Sequence, residues 1–311
     1  MTNEKRPLLE VRDLSVSFRM YDNGLEQKDL PVISQLSATV YPGEILAIAG
    51  SSGSGKSLLA SAILGILPHN AAMSGTMLYN GEPLTPKRQR ALRGEEIALV
   101  PQSVAFLDPL MKVGVQTDGH KKPRPTQKRR ELFRRFGLPE KTENLYPFQL
   151  SGGMARRVLV STALLTDAKL IIADEPTPGM SLDQALEALT MFREMADQGR
   201  AVILITLDID LAFAFADRVS VFYAGTTVET APAENFRTGV EALRHPYSKA
   251  LWKALPQNGF EPMDGFQPYA GELPKGCPLA PRCALATAEC HESLPPVQTI
   301  RSGEVRCYHA T

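Results

Sequence analysis

A glycine-rich loop at residues 50–57 constrains this chain more than any other feature of its sequence. The apolar run 45–49 precedes it and the apolar run 58–64 follows it, which predicts a buried strand, then the loop, then a helix. Glycines allow successive backbone N–H groups to converge on phosphate oxygens, and the positive end of the following helix also attracts anions. Lys56 can reach the β- and γ-phosphates, and the Ser57 hydroxyl can hold Mg²⁺. The loop therefore predicts a site for a nucleoside triphosphate.

A flexible Gly/Ser linker is the alternative interpretation of this loop. A linker has no reason to end in Lys-Ser between a strand and a helix, so the phosphate-binding loop is favoured. The nucleotide contacts predicted for it and for the next residue are Gly50, Ser51, Ser52, Gly53, Ser54, Gly55, Lys56, Ser57 and Leu58.

The composition indicates a globular protein without a strong overall charge. The 311 residues suffice for one large domain or two smaller ones, and 34 Lys and Arg balance 34 Asp and Glu. No general positive field draws nucleic acid to the chain, so we expect no nucleic-acid partner. No stretch approaches the roughly 18 apolar residues of a membrane span, and residues 1–7 lack the apolar segment of a secretory signal. We therefore expect a cytoplasmic protein that reaches a membrane only through partners.

The hydrophobic patterns predict an α/β fold. Residues 8–18 and 33–40 have strand-like patterns before a Pro-Gly turn, which predicts an antiparallel sheet near the start of the chain. Further apolar runs, separated by helical patterns, predict a largely parallel sheet with helices on its faces. Between the first two of these runs, the basic segments 120–124 and 128–131 are interpreted as a solvated helix face. The apolar runs lie at residues 97–102, 169–175, 201–206 and 218–225.

Two adjacent carboxylates, Asp174 and Glu175, end the second of these apolar runs. Ligands of open α/β folds bind at the carboxyl edge of the sheet, where these side chains would emerge. Asp174 is positioned to contact Mg²⁺ through water, and Glu175 could polarise the water that attacks the γ-phosphate. Capping of a following helix is the alternative, but the phosphate-binding loop upstream favours the catalytic interpretation.

A second glycine motif lies shortly before this strand. A serine and a glycine pair at the start of a helix form another anion-binding group of N–H donors, with a simple helix-initiating turn as the alternative. Together with the loop and the Asp174-Glu175 strand, the motif resembles the Leu-Ser-Gly-Gly-x signature of the ATP-binding subunits of ABC transporters. Its residues are Leu150, Ser151, Gly152, Gly153 and Met154.

The resemblance covers nearly the whole chain and implies a fold. That fold is the P-loop NTPase nucleotide-binding domain of ABC proteins, with a parallel sheet core, an antiparallel β subdomain and a helical subdomain at about residues 103–165. We assign residues 1–245 to this domain. In the family, the phosphate loop of one subunit and the signature motif of another enclose each ATP. The resemblance therefore implies that two such subunits are required.

The resemblance also implies roles for residues outside the loop. Phe18 matches the aromatic residue that stacks on adenine, and Gln102 matches the glutamine that senses the γ-phosphate and Mg²⁺ beside the membrane subunit. Asp183 matches the aspartate of the D-loop. The Mg²⁺ contacts implied are Ser57, Gln102 and Asp174.

One position departs from the family pattern. Family members generally carry Thr-His-Asp after the strand that corresponds to residues 201–205, and here the histidine is replaced by Leu207. A leucine cannot hydrogen-bond the γ-phosphate or Glu175. Either this chain's own site hydrolyses ATP poorly or another group substitutes, and the charge of Asp208 would repel the γ-phosphate.

All four cysteines lie in the C-terminal segment 246–311, in the spacing C-x5-C-x6-C-x16-C. Four cysteines in a short Pro-rich segment are more typical of metal or cluster ligands than of disulfides in a cytosolic protein. With His245-Pro246-Tyr247, the segment resembles the C-terminal extension of the oligopeptide, dipeptide and nickel import subfamily, which implies a Cys-ligated [4Fe-4S] cluster. Zinc and free or disulfide-bonded thiols are the alternatives. The predicted ligands are Cys277, Cys283, Cys290 and Cys307.

The resemblance therefore implies an ATPase subunit of an ABC importer for peptides or for nickel and other metal chelates. Its implied partners are a second ATPase subunit, two transmembrane permeases and, indirectly, an extracytoplasmic solute-binding protein, which places the chain at the cytoplasmic face of the inner membrane. The alternative is a degenerate ATP-binding module whose signature motif completes the partner's hydrolytic site. An ABC protein of DNA repair or translation would normally show a long coiled-coil insertion or tandem cassettes, and neither is evident in the sequence.

Overall fold

The computed structural model describes residues 6–21, 24, 26–119 and 125–311. The basic segment at residues 120–124, interpreted above as a helix face, lies outside the described residues. The strands are β1 (Leu9–Tyr21), β2 (Gln27–Val40), β3 (Ile45–Gly50), β4 (Ala71–Tyr79), β5 (Glu82–Pro83), β6 (Ile97–Val100), β7 (Leu170–Asp174), β8 (Ala201–Ile205), β9 (Arg218–Tyr223), β10 (Thr226–Pro232), β11 (Val297–Ile300) and β12 (Gly303–Arg306).

The α-helices lie mainly between these strands in the sequence. They are α1 (Lys56–Leu64), α2 (Pro86–Leu92), α3 (Val113–Asp118), α4 (Thr126–Arg135), α5 (Gly152–Leu164), α6 (Leu182–Asp197), α7 (Ile209–Phe215), α8 (Ala233–Thr238), α9 (Pro246–Lys253) and α10 (Ala288–Glu292). Short 3₁₀ turns lie at Val104–Phe106, Glu140–Asn144, Pro147–Gln149, Val240–Ala242, Pro256–Asn258, Ala270–Glu272 and Ala280–Arg282. No helix in the described part of the chain combines the length and the apolar character needed to cross a membrane.

The central sheet has the strand order β11-β12-β10-β9-β3-β8-β7-β6 among the described residues. Neighbours from β9 to β6 pair in parallel, with Ile45 opposite Val202 and Leu170 opposite Ala201. Strands β3, β7 and β8 are buried along their whole length, as expected of parallel strands covered on both faces. Parallel pairing brings the carboxyl ends of β3, β6, β7 and β8 to one edge. The predicted α/β fold with a largely parallel core is confirmed.

A smaller antiparallel sheet covers one face of the central sheet. It has the strand order β2-β1-β4-β5, and β1 pairs antiparallel with both β2 and β4. Alternate residues of β3 divide between two apolar clusters: Ala47 joins helices α5 and α6, whereas Ile48 joins α1 and the small sheet. The antiparallel sheet predicted near the start of the chain is thus confirmed.

The segment between β6 and β7 is helical, with α3, α4 and α5 packed together. Within α4, Lys128 and Arg130 are exposed as predicted, but the prediction is wrong for Arg129, which is buried. Its guanidinium pairs with Asp118 and, at 2.8 Å, with Glu143. These carboxylates satisfy the charge that burial removes from water, so a basic side chain can lie inside this subdomain.

The C-terminal segment extends the central sheet. Strand β12 pairs antiparallel with β10, where Glu229 lies opposite Val305, and β11 pairs with β12. Leu279 and Val305 from this segment are almost completely buried. Residues 1–245 and 246–311 therefore share one sheet and a continuous apolar core.

A buried ion pair lies in the first segment, where it meets the C-terminal segment. The side chains of Arg244 and Glu229 are both fully buried, with Arg244 Nη1 3.2 Å from Glu229 Oε1. The backbone N–H groups of Arg244 and His245 also donate to this carboxylate, and Arg244 Nε donates to the carbonyl of Ile300. The pair therefore connects β10, the chain before α9 and the turn that joins β11 to β12.

We expect Arg244→Met to lower the free energy of unfolding by about 3–5 kcal/mol, because it leaves the Glu229 carboxylate buried without its cation. Urea unfolding, analysed by linear extrapolation, measures the loss. Arg19→Met is the matched control, since it breaks an exposed pair with Asp29 and should cost less than about 1 kcal/mol. Equal losses in the two variants would contradict a structural role for the buried pair.

Candidate functional site

The phosphate-binding loop leaves β3 through a backbone conformation that requires glycine. Gly50 has φ 152°, and a Cβ atom at this position would lie 2.3 Å from the carbonyl oxygen of Phe222. Gly55, with φ 97°, precedes the first residue of α1 in the left-handed conformation that glycine adopts most easily. The sequence therefore fixes the path of the loop between strand and helix, as predicted.

Lys56 lies inside the loop rather than in solvent. Its Nζ donates to the carbonyl oxygens of Gly50 and Ser51 at 2.9 and 2.8 Å. Burial lowers the pKa of Lys56, and the charges of Glu175 and Asp174 oppose this effect. The ammonium group is thus held near two carboxylates at the mouth of the loop.

Asp174 and Glu175 follow each other where β7 ends, and both are buried. Burial raises the pKa of Asp174, opposed by a hydrogen bond with Ser57 and by the charges of Lys56 and Arg156. The Oδ1 atom of Asp174 is buried without a hydrogen-bond partner among the described residues. A buried, unpartnered carboxylate oxygen beside a hydroxyl suits a hard cation such as Mg²⁺.

Glu175 has a strained backbone, with φ 49°, and its N–H donates to the carbonyl oxygen of Ile205 at 2.9 Å. Left-handed backbone outside glycine is uncommon and is often found at functional sites. Burial raises the pKa of Glu175, the positive charge of Lys56 opposes this, and the charge of Asp174 raises it further. The carboxyl therefore takes up a proton more readily than an exposed glutamate and is better matched to accepting one from water.

A cleft of about 290 Å³ opens at this edge of the central sheet. It brings together the loop, the second residue after β6, the residue after β7 and the chain after β8. Its lining residues are Val32, Ser52, Gly53, Gly55, Lys56, Ser57, Leu58, Gln102, Glu175 and Leu207.

Several predicted site residues lie outside the cleft lining. Gly50, Ser51 and Ser54 belong to the loop behind it, and Ser54 Oγ is buried without a partner among the described residues. Phe18 pairs with Leu30 and Ala71 across two strands and packs against an apolar cluster, so it is only partly exposed.

The signature residues form the start of α5, away from this lining. Ser151 is exposed and caps the helix, because its Oγ accepts a hydrogen bond from Met154 N at 3.3 Å. Open space surrounds the α-carbon of Gly152 where a side chain would project. Leu150 and Met154 pack against the core, whereas Gly153 lies beside the carbonyl of Gly179. The motif therefore presents its serine and its first glycine outward. Asp183, in the first turn of α6, is also exposed.

Leu207 lines the cleft with 49% of its surface exposed and supplies no polar group there. The polar side chains on either side of Leu207 make local hydrogen bonds. Thr206 Oγ1 accepts from Asp208 N at 2.9 Å, and Asp208 Oδ1 accepts from Leu211 N at 3.1 Å. Asp208 therefore caps α7, and as a carboxylate it offers no N–H donor that could replace a switch histidine.

Three residues near the site were not predicted. Val32 of β2 lines the cleft, and Arg156 places a positive charge near Asp174 and Glu175 while its Nη1 donates to the carbonyl of Pro101. Gln267, from the C-terminal segment, accepts a hydrogen bond from Ser51 Oγ at 2.5 Å. Arg156 lies two residues after the signature motif, so inspection of that helix could have found it. No local sequence signal marks Val32 or Gln267.

None of the four cysteines forms a disulfide in the structure, so the disulfide alternative is not what the structure contains. Burial raises the pKa of Cys307 to about 11, opposed by the His309 N–H, and the other three thiols raise it further. Backbone N–H groups also approach sulfur: His309 N donates to Cys307 Sγ at 3.3 Å, and two N–H groups lower the pKa of Cys277 against its burial. Within the described ranges, no group of three or more His, Cys, Asp or Glu side chains is arranged to hold a metal ion.

Two family profiles match this chain. The ABC transporter family matches residues 33–178, and the C-terminal region of oligopeptide/dipeptide transporters matches residues 228–290. A putative peptide import ATP-binding protein of Brucella abortus is 34% identical over 97% of this chain and 94% of its own length. The chain belongs to the ATP-binding proteins of ABC transporters. As a member of this family it is an ATPase.

Other relatives of this ATP-binding protein have similar coverage. The dipeptide transport ATP-binding protein DppD of Haemophilus influenzae is 34% identical over 97% of this chain and 95% of its own. The oligopeptide transport ATP-binding protein OppD of Salmonella typhimurium is 35% identical over 96% of this chain and 92% of its own.

Solved structures confirm the ABC fold. A dimeric ATP-binding cassette in a post-hydrolysis state, bound to ADP and Pi, superimposes with a TM-score of 0.63 at 22% identity, covering 72% of this chain and 98% of that one. The ATP-binding subunit of an ABC transporter gives 0.61 at 24% identity, covering 74% of this chain and 92% of that one.

Proposed function

We propose that the cleft at the carboxyl edge of the central sheet is the ATP site of this protein. The observation that carries the proposal is the convergence of Lys56, Gln102 and Glu175 on one cleft beside the phosphate loop. N–H groups of the loop and the dipole of α1 would hold the phosphates, with Lys56 moving from its two carbonyl partners to the β- and γ-phosphates.

Mg²⁺ would be held by Ser57, Asp174 and Gln102, and would neutralise charge that develops on the phosphates. The unpartnered Oδ1 atom of Asp174 supports this assignment. Glu175 orients and polarises the attacking water from beside the cleft, and its raised pKa suits that task. Phe18 is assigned to the adenine, although stacking requires it to turn from its partly buried position on β1.

We also propose that the chain energises the import of di- or oligopeptides. Support comes from the match of residues 228–290 to oligopeptide/dipeptide transporters and from the names of relatives that align over nearly the whole chain. Nickel or metal chelates, the other solutes of the subfamily, have no such support. In this proposal the protein lies at the cytoplasmic face of the inner membrane, where two permease subunits hold it. A solute-binding protein delivers the peptide to these permeases from the other side of the membrane.

Lys56→Ala should abolish uptake of a labelled dipeptide in cells whose only peptide importer contains this subunit, because the phosphates lose their cation. Lys169→Ala is the matched control, since Lys169 pairs with Glu96 at the opposite end of β7 and should leave uptake unchanged. Scintillation counting of washed cells measures both. Uptake of labelled nickel in place of the dipeptide would contradict the proposed solute.

The residues of the cleft also favour unequal rates of ATP hydrolysis in a pair of different ATPase subunits. Leu207 occupies the position of the switch histidine, and Asp208 and Thr206 are engaged elsewhere. The signature motif, by contrast, leaves Ser151 and Gly152 exposed at the start of α5. We therefore propose a heterodimer in which this signature completes the partner's efficient site. The chain would bind ATP in its own site and hydrolyse it slowly.

In the assembled transporter, Ser151→Ala should lower ATP turnover by about tenfold or more, since it removes a donor to the partner's nucleotide. Glu175→Gln should lower turnover by no more than about twofold, because it acts on the slower site. Phosphate release by the reconstituted complex measures both, and Glu187→Gln is the control, since Glu187 is a half-buried residue of α6 that pairs with Arg135 outside the cleft lining. If Glu175→Gln abolishes turnover and Ser151→Ala is mild, Leu207 has not silenced this site.

For the C-terminal segment we propose a [4Fe-4S] cluster held by Cys277, Cys283, Cys290 and Cys307. The support is the match of this part of the chain to the C-terminal region of oligopeptide/dipeptide transporters and the N–H group that His309 directs at Cys307 Sγ. A zinc ion with Zn–S bonds of about 2.3 Å requires the sulfurs to lie within about 4 Å of one another. Among the described residues no group of three or more His, Cys, Asp or Glu side chains is arranged to hold a metal ion, so binding of either metal requires the four thiols to move closer together.

Protein purified without oxygen should be brown and contain about four iron and four sulfide per chain. Cys283→Ser, at the most accessible of the four thiols, should lower the iron content, whereas Ser293→Ala in the same segment should not. Metal analysis and visible absorbance give the readout. Stoichiometric zinc in colourless protein would refute the cluster but keep a four-ligand site, and the absence of both metals would refute the site.

A further inference from the structure

The C-terminal segment reaches the phosphate loop through Gln267. Its Oε1 atom accepts hydrogen bonds from Ser51 Oγ at 2.5 Å and from Ala224 N at 3.3 Å. A backbone N–H can only donate, so the bond from Ala224 fixes which end of the amide is the oxygen. The Nε2 end is then directed towards Gly53, where a Cβ atom would lie 3.9 Å from it.

The position of Gln267 is itself fixed from both sides. Upstream, Arg282 Nη2 donates to the carbonyl of Met263 at 2.7 Å, which ties this stretch to the residue before Cys283. Downstream, the turn Ala270–Glu272 packs against β2, and the α-carbon of Gly271 approaches Leu30. The amide is therefore presented to the loop by an anchored backbone rather than by a free tail.

Ser51 is where this contact affects the loop. Its carbonyl oxygen accepts hydrogen bonds from Lys56 Nζ at 2.8 Å and from Ser54 N. The Ser51 peptide therefore fixes the position of the lysine ammonium group and the backbone path at the start of the loop. Gln267 holds the Ser51 side chain against the turn between β9 and β10. A change at Gln267 therefore alters the loop that receives the phosphates without altering Glu175 or Gln102.

We propose that Gln267 is a positioning residue of the ATP site, through which the C-terminal extension sets the affinity of the phosphate loop for ATP. The inference rests on the proposed ATP site. It assigns the extension a part in nucleotide binding in addition to whatever role the four cysteines have. Because the contact acts on the loop and not on the attacking water, it affects ATP binding and not the chemical step.

The test compares substitutions in the full-length chain and in its assembled transporter. Gln267→Leu should raise the Kd of the full-length chain for MgATP by about three- to tenfold, the effect of one net hydrogen bond, and leave the kcat of the assembled transporter within about twofold of wild type. Isothermal titration of the full-length chain gives Kd, and phosphate release by the transporter at saturating MgATP gives kcat. Gln257→Leu is the matched control, since Gln257 lies in the same segment and bonds Asp210 instead of the loop.

A thermodynamic cycle separates positioning from general loss of structure. Ser51→Ala combined with Gln267→Leu should bind MgATP no more weakly than the weaker single variant, because both remove the same contact. Gln267→Glu keeps acceptor oxygens for Ser51 and Ala224 but places a negative charge beside the loop. It should therefore keep the melting temperature of the nucleotide-free protein and weaken MgATP binding, more so at low salt.

The outcomes are distinguishable. A wild-type Kd for Gln267→Leu, additive effects in the cycle, or a fall in kcat at unchanged Kd would overturn the inference. Lys56→Ala serves as the reference: if it too binds MgATP normally, the proposed ATP site fails, and if it alone loses binding, only the role of Gln267 fails.

Discussion

Parallel pairing across the middle of the central sheet is the constraint on which the rest of the structure depends. Because β3, β8, β7 and β6 run in the same direction, the residues that follow them all emerge at one edge. The phosphate loop, Gln102, Glu175 and Leu207 are far apart in sequence and meet there for this reason. Reversing or shifting one strand would remove its residue from the cleft, so the apolar cores on both faces of the sheet serve the site by fixing its register.

Burial at this edge makes the charges interdependent. Removed from water, the carboxyls of Asp174 and Glu175 favour the neutral form and so does the amine of Lys56, and each opposite charge works against that tendency. The charges of these three groups therefore respond to any charged ligand that enters the cleft. A triphosphate with its metal ion brings both negative and positive charge into this space. The lysine can then pair with the phosphates and the carboxylates with the metal ion, in place of pairing with one another.

Elements that depend on local pattern could be predicted from the sequence. The phosphate loop has a fixed spacing, and buried parallel strands appear as continuous apolar runs, so β3, β6, β7, β8 and β9 were located within a few residues. Long-range pairing could not be predicted in this way. The burial of Arg129 depends on Asp118 and Glu143, and the approach of Gln267 to Ser51 depends on how the C-terminal segment folds back. Neither depends on any signal in the neighbouring residues.

The pairing of β12 with β10 has a consequence for self-association. A strand at the edge of a sheet offers a row of unpaired N–H and C=O groups to any other extended chain. Here β12 and β11 cover that side of β10, and the new outer strand, Val297–Ile300, is only four residues long. A chain that ended before these strands would carry the longer β10 as its border, open to addition of a foreign strand. By covering β10, the C-terminal segment thus leaves a shorter edge strand on which intermolecular strand pairing could begin.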